Sequence, residues 1–125
     1  MNKDSFFEVK ESNIAGSGNG LFAKKFIPAG FIVFPTFAKI PFLQSKVFEQ
    51  QFAQSPQNGS VNHSENANTE SFYLPNEGTM YRRTTRDIQP GEEMTSNYKQ
   101  TINVIQKAGY TLQHDWLWFL KTKNL

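Results

Sequence analysis

A chain of 125 residues with 38% hydrophobic side chains is sized for one domain that buries roughly two-thirds of its unfolded surface, and twelve Phe within a 14% aromatic share give that core large rings to bury. A net charge of +2 is too small for a nucleic-acid footprint. The lack of Cys excludes disulfides and thiolate metal sites, and two His at 63 and 114 argue against zinc, so no metal is expected.

The N-terminus carries Lys3, Asp4 and Glu8 without an apolar h-region, so no secretory signal is visible. Phe6-Phe7-Glu8-Val9-Lys10 alternates enough to predict a strand. Gly16, Gly18 and Gly20 then break regular structure, because glycine permits positive φ and close backbone approach. Leu21-Phe22-Ala23 resumes a short apolar strand, and Ile27-Pro28-Ala29-Gly30 reads as a turn with Pro at its second position. Phe31-Ile32-Val33-Phe34 predicts a strand. Pro35 and Pro41 bracket residues 36–40, which read as extended or as an edge. The Phe31 to Phe37 stretch is the longest apolar one, and it is far too short to span a bilayer. A soluble intracellular protein is expected, cytoplasmic or, in a eukaryotic host, nuclear, with no membrane partner.

Leu43, Val47, Phe48 and Phe52 have the spacing of one short amphipathic helix over 43–53, with Gln and Lys outward. Residues 71–74 and 79–84 read as a hairpin closed by Pro75-Asn76-Glu77-Gly78. Gln89-Pro90-Gly91-Glu92 is a further turn, whose Glu92 and Glu93 read as solvated charges or as partners for Arg82, Arg83 or Arg86. Ile102, Ile105 and Ala108-Gly109 predict a short helix stopped at the glycine. Trp116-Leu117-Trp118-Phe119-Leu120 is apolar for a terminal tail and should dock. Short strands with Gly and Pro punctuation predict a mostly β single domain.

The polar block Asn62-His63-Ser64-Glu65-Asn66-Ala67-Asn68 reads alone as a surface loop, since Asn and Ser bond nearby backbone. Three companions in order change that reading. Upstream stand Gly18-Asn19-Gly20-Leu21-Phe22-Ala23 and the Ile27-Pro28-Ala29-Gly30 turn; downstream stands Gly91-Glu92-Glu93-Met94-Thr95-Ser96-Asn97-Tyr98. Together these blocks resemble the SET domain, the fold of S-adenosylmethionine-dependent protein-lysine methyltransferases, over residues ~12–98. The pattern Gly-x-Gly, then Asn-His-Ser-Cys-x-Pro-Asn, then Gly-Glu-Glu-Leu-Thr-x-Asp-Tyr is matched except where Glu65 replaces Cys, Ala67 replaces Pro, Met94 replaces Leu and Asn97 replaces Asp. Gly59 and Ser60 stand where the family has an aromatic and an Arg. No Cys-rich module flanks the domain, and this bareness resembles minimal stand-alone SET proteins of some viruses and bacteria.

The resemblance implies a mostly β fold of the β-clip type: several short sheets, a few short helices and a C-terminal pseudoknot, in one domain over 1–125 with a covering segment at 99–125. It implies S-adenosylmethionine as cofactor, S-adenosylhomocysteine as product, and a lysine-bearing protein or peptide as substrate, with a homodimer left open. Gly18, Asn19, Gly20, Asn62 and His63 take cofactor-binding positions, with Trp116 or Trp118 set against adenine. Tyr98 is the catalytic candidate, and Tyr73 and Tyr81 are candidates to line the lysine channel, although a core role suits them as well. The alternative is a catalytically weak SET-like domain that binds a peptide or cofactor as an interaction module.

Overall fold

The computed structural model describes residues 6–113. Eight strands form one linked sheet: β1 (Phe7–Glu11), β2 (Asn19–Ala23), β3 (Ile32–Lys39), β4 (Phe52–Gln54), β5 (Asn62–His63), β6 (Thr69–Leu74), β7 (Thr79–Thr84) and β8 (Glu93–Ser96). Their order is β1-β2-β8-β6-β7-β3-β4, with β5 attached to β8. Among the described residues there are also two helices, α1 (Phe48–Gln51) and α2 (Tyr98–Lys107), and a 3₁₀ turn at Gln57–Ser60. The protein is mostly β, as the sequence predicts.

The expected hairpin forms as β6–β7, with Leu74 opposite Thr79. Gly78 has φ +67° at its turn, a left-handed value that glycine adopts without strain. Two apolar clusters lie under the strands. One gathers Leu21, Ala23, Ile27, Val33, Phe34, Val61, Ile88 and Met94. The other gathers Phe37, Phe48, Phe52, Met80 and Ile105, with Tyr73, Val104, Tyr110 and Leu112 packed against it.

Two expectations are corrected. The segment after Pro35 is extended, as expected, but it is no edge, because β3 pairs with both β7 and β4. The sheet accommodates the proline through register shifts on either side of it, as a residue without a ladder donor requires. The helix expected over 43–53 shrinks to Phe48–Gln51, and Phe52–Gln54 becomes a strand. The cause is Gln51, expected to face outward but only 1% exposed. Its Nε2 donates to the carbonyls of Ile40 and Leu43, and its Oε1 accepts from the Ser45 amide. One side chain thus satisfies a loop's backbone, and the loop displaces the helix's first turn.

α2 begins at Tyr98, earlier than the apolar spacing alone indicates. Asn97 is its N-cap, accepting from the Lys99 amide at 3.0 Å. Asn and Asp cap about equally well, so the Asn97 departure from the family pattern keeps this function. Gln100 then holds α2 to β6, with its amide oxygen accepting from Ser71 N–H at 2.9 Å and its nitrogen donating to Ser71 C=O at 2.8 Å. Past Gly109 the chain turns back, and Thr111 exchanges backbone bonds with Lys46 and Phe48.

Candidate functional site

The closing strand β8 brings the separated motifs together. It pairs antiparallel with β2 (Leu21 opposite Met94) and parallel with β5 (Asn62 opposite Thr95, His63 opposite Ser96). Gly-x-Gly, Asn-His and the segment leading to Tyr98 therefore meet around one strand. This is the juxtaposition on which the expected pseudoknot turns.

At the Gly-x-Gly end, Gly18 has φ +67° and its carbonyl accepts from the Ser12 amide at 2.8 Å. At Gly20 a Cβ would run into the Glu93 carboxylate and come within 3.3 Å of Asn62 Nδ2, so a side chain there would displace Glu93 from its present place. Asn62 Nδ2 donates to the Asn19 carbonyl at 3.0 Å and to Glu93 Oε2 at 3.1 Å. Both amide protons are thus spent within the protein, and the group Asn62 can offer a ligand is its Oδ1.

Glu93 is the residue that sequence reasoning missed. Glu92 behaves as expected, paired with Arg86 at 3.0 Å, and its carboxyl is held low first by the Gln89 amide and then by Arg86. Glu93 instead accepts from Ser12 Oγ at 2.7 and 2.9 Å, from the Asn13 amide at 3.1 Å and from Asn62. It ties the N-terminal turn to the central motif. No local signal separates it from Glu92 except that it opens a strand whose alternation turns neighbours to opposite faces.

At the other end, the Tyr98 amide donates to His63 Nδ1 at 3.0 Å and the Tyr98 hydroxyl donates to the Val61 carbonyl at 3.1 Å. The two rings meet edge to face at 5.0 Å. Burial raises the Tyr98 phenol above its ordinary value, against the opposing charge of Arg82, so it stays protonated at neutral pH. Burial also lowers His63 below 6.5, helped by Lys99 and opposed by Glu65. With Nδ1 accepting, the proton of neutral His63 sits on Nε2, which is buried and has no protein partner among the described residues.

The sign of the His63 shift gives a prediction. Its folded-state value lies below the unfolded one, so its contribution to stability is complete above 6.5 and is lost as pH falls through the lowered value. Protonating Nδ1 would also break the bond from the Tyr98 amide. Thermal unfolding of wild type and His63→Asn between about pH 7.5 and pH 5 should show a shallower fall for the variant, which can keep an acceptor but not titrate. Parallel profiles would contradict the assignment.

The other candidates are placed as follows. Tyr73 packs edge-on against Phe52 at 6.1 Å in the second cluster. Tyr81 donates to Glu77 Oε1 at 2.6 Å and stacks on Phe72 at 5.8 Å. Trp116 and Trp118 lie outside the described residues. A groove of about 430 Å³ lined by Lys39, Leu43, Lys46, Gln51 and Tyr110 shares no residue with the cluster around β8.

The SET-domain family profile matches residues 18–99. This chain belongs to the SET-domain family. No curated protein sequence matches it, but solved structures resemble it in fold. The Polycomb Repressive Complex 2 of Chaetomium thermophilum bound to GSK126 aligns over 82% of this chain and 17% of its own, at 18% identity and TM-score 0.58. A humanised mutant of that complex bound to the same inhibitor aligns over 74% and 14%, at 20% identity and TM-score 0.56. An active polycomb repressive complex 2 in the stimulated state aligns over 74% and 15%, at 19% identity and TM-score 0.57. This SET domain thus spans about a sixth of the chains it resembles.

Proposed function

We propose that this SET domain transfers a methyl group from S-adenosylmethionine to a lysine side chain of a protein. The observation that carries the reading is the position of Tyr98, with its hydroxyl on the Val61 carbonyl and its amide on His63, next to Asn62 in the same parallel ladder.

The residues present fit the cofactor's amino-acid end. Asn19 C=O, Asn62 Oδ1 and the Glu93 carboxylate are acceptors suited to an ammonium, gathered where Gly20 lets the Glu93 and Asn62 side chains pack against the backbone. The buried Nε2–H of His63 is a donor without a protein partner among the described residues, suited to an acceptor atom of a ligand. When bound, the cofactor supplies a methyl group already activated on a sulfonium. The protein's part is then orientation and electrostatics, with no covalent enzyme intermediate. By donating its proton to Val61, Tyr98 turns its oxygen into an acceptor that can orient an amine N–H. The amine must arrive neutral, since its ordinary value is about 10.4.

Calorimetric titration with S-adenosylmethionine on wild type, Asn62→Ala and Ser64→Ala tests the cofactor half. Asn62→Ala should weaken binding by about ten- to a hundredfold, because it leaves the Asn19 carbonyl and Glu93 short of a donor. Ser64, whose Oγ only accepts from the Asn66 amide, should cost little. Equal affinities for the two variants would sink the role of Asn62.

A further inference from the structure

Arg82 is 2% exposed, and buried charges are ordinarily paired with an opposite charge. Its Nη1 donates to Thr69 Oγ1 at 3.0 Å and its Nη2 to Asn58 Oδ1 at 2.6 Å, both neutral. Its Nε has no partner among the described residues. The ion pairs found among those residues belong to Arg83 with Glu70 and Arg86 with Glu92. Burial pulls the guanidinium down to about 10, so it remains charged at neutral pH. An uncompensated cation is a costly thing to bury.

Its location gives that cost a use. Arg82 holds Asn58; the Asn58 carbonyl accepts from the Val61 amide at 3.2 Å; the Val61 carbonyl accepts from the Tyr98 hydroxyl. The cation and the phenol are thus fixed to the two ends of one short turn. From α2, Tyr98 acts on Arg82, and the residue before it is the neutral cap Asn97. From β6, Glu70 is engaged by Arg83 at 2.7 Å. From β5, His63 is neutral in the alkaline range, and the charges acting on it are Glu65 and Lys99.

We propose that Arg82 is a positioning residue that acts by charge: its guanidinium, which meets no carboxylate among the described residues and is locked to the Asn58–Val61 turn, holds the amine delivered beside Tyr98 in its neutral, nucleophilic form. The proton leaves to solvent before transfer, and no side chain need serve as general base. This rests on the reading of Tyr98 as the residue beside the amine.

Asn58→Asp tests it with little change of shape, since it sets a carboxylate against Arg82 and cancels the field while leaving the guanidinium in place. Arg82→Gln removes the charge, and Arg82→Lys keeps it. Single-turnover methylation of a lysine peptide across pH should show the midpoint moved up by about one unit in Asn58→Asp and Arg82→Gln, a roughly tenfold lower rate below the midpoint, and little shift in Arg82→Lys. Independently of activity, the Tyr98 phenol, read as the tyrosinate absorbance missing from Tyr98→Phe, should titrate higher in the same two variants. Unmoved midpoints in Asn58→Asp would overturn the proposal, whatever Arg82→Gln does to stability. Were wild type to transfer no methyl group, the proposed function would fail, while the phenol titration would still decide whether the charge of Arg82 reaches Tyr98.

Discussion

Tyr98→Phe should lower the single-turnover rate of methyl transfer by roughly 10²–10³ while leaving cofactor affinity nearly unchanged. The variant keeps the ring, so its edge-to-face contact with His63 at 5.0 Å and the bond from its amide to Nδ1 survive. It loses the hydroxyl and with it the bond to Val61 C=O, a bond that contributes about 1 kcal/mol of stability. A group placed to orient the amine and the transferring methyl contributes in the transition state rather than to cofactor binding, so the loss belongs in the chemical step. Rapid-quench methylation with a parallel calorimetric titration separates the two. An unchanged rate would make Tyr98 a structural tyrosine and bring the interaction-module reading forward.

Asn68→Ala should cost about 3 kcal/mol and lower the thermal midpoint by about 10 °C. Asn68 is 1% exposed. Its Nδ2 donates to the Glu93 carbonyl and its Oδ1 accepts from the Thr95 amide, both at 2.9 Å. Truncation leaves the buried Thr95 amide and the part-buried Glu93 carbonyl without these partners in the strand on which the site is assembled. Asn66, two residues earlier in the same polar block, is exposed, and Asn66→Ala should stay within about 0.5 kcal/mol. Equal losses for the two would mean that the block is stabilised as a whole rather than through Asn68.

That contrast marks where the sequence is legible. Periodicity and turn chemistry reveal the β6–β7 hairpin because both signals are local and agree. The motif order reveals that Gly20, Asn62 and Tyr98 belong together, and β8 is the strand that joins them. Residues whose role depends on a distant partner stay hidden. Gln51 looks like an outward helix residue, yet it serves the backbone at Ile40, Leu43 and Ser45. Arg82 and Arg83 are adjacent in one strand, but alternation buries the first and leaves the second paired with Glu70 at the surface. Glu93 looks like Glu92 until the fold sets it against Gly20 and Asn62. In each case a side chain's meaning is fixed by which backbone the fold brings to it.

The most direct test of the account is to incubate the purified protein with S-adenosylmethionine and a mixture of lysine-bearing proteins, then map modified residues by mass spectrometry, with and without cofactor. Methyl groups are expected on lysine side chains, dependent on the cofactor and strongly reduced by Tyr98→Phe. Cofactor binding with no lysine methylated, under conditions where the protein stays folded, would contradict it.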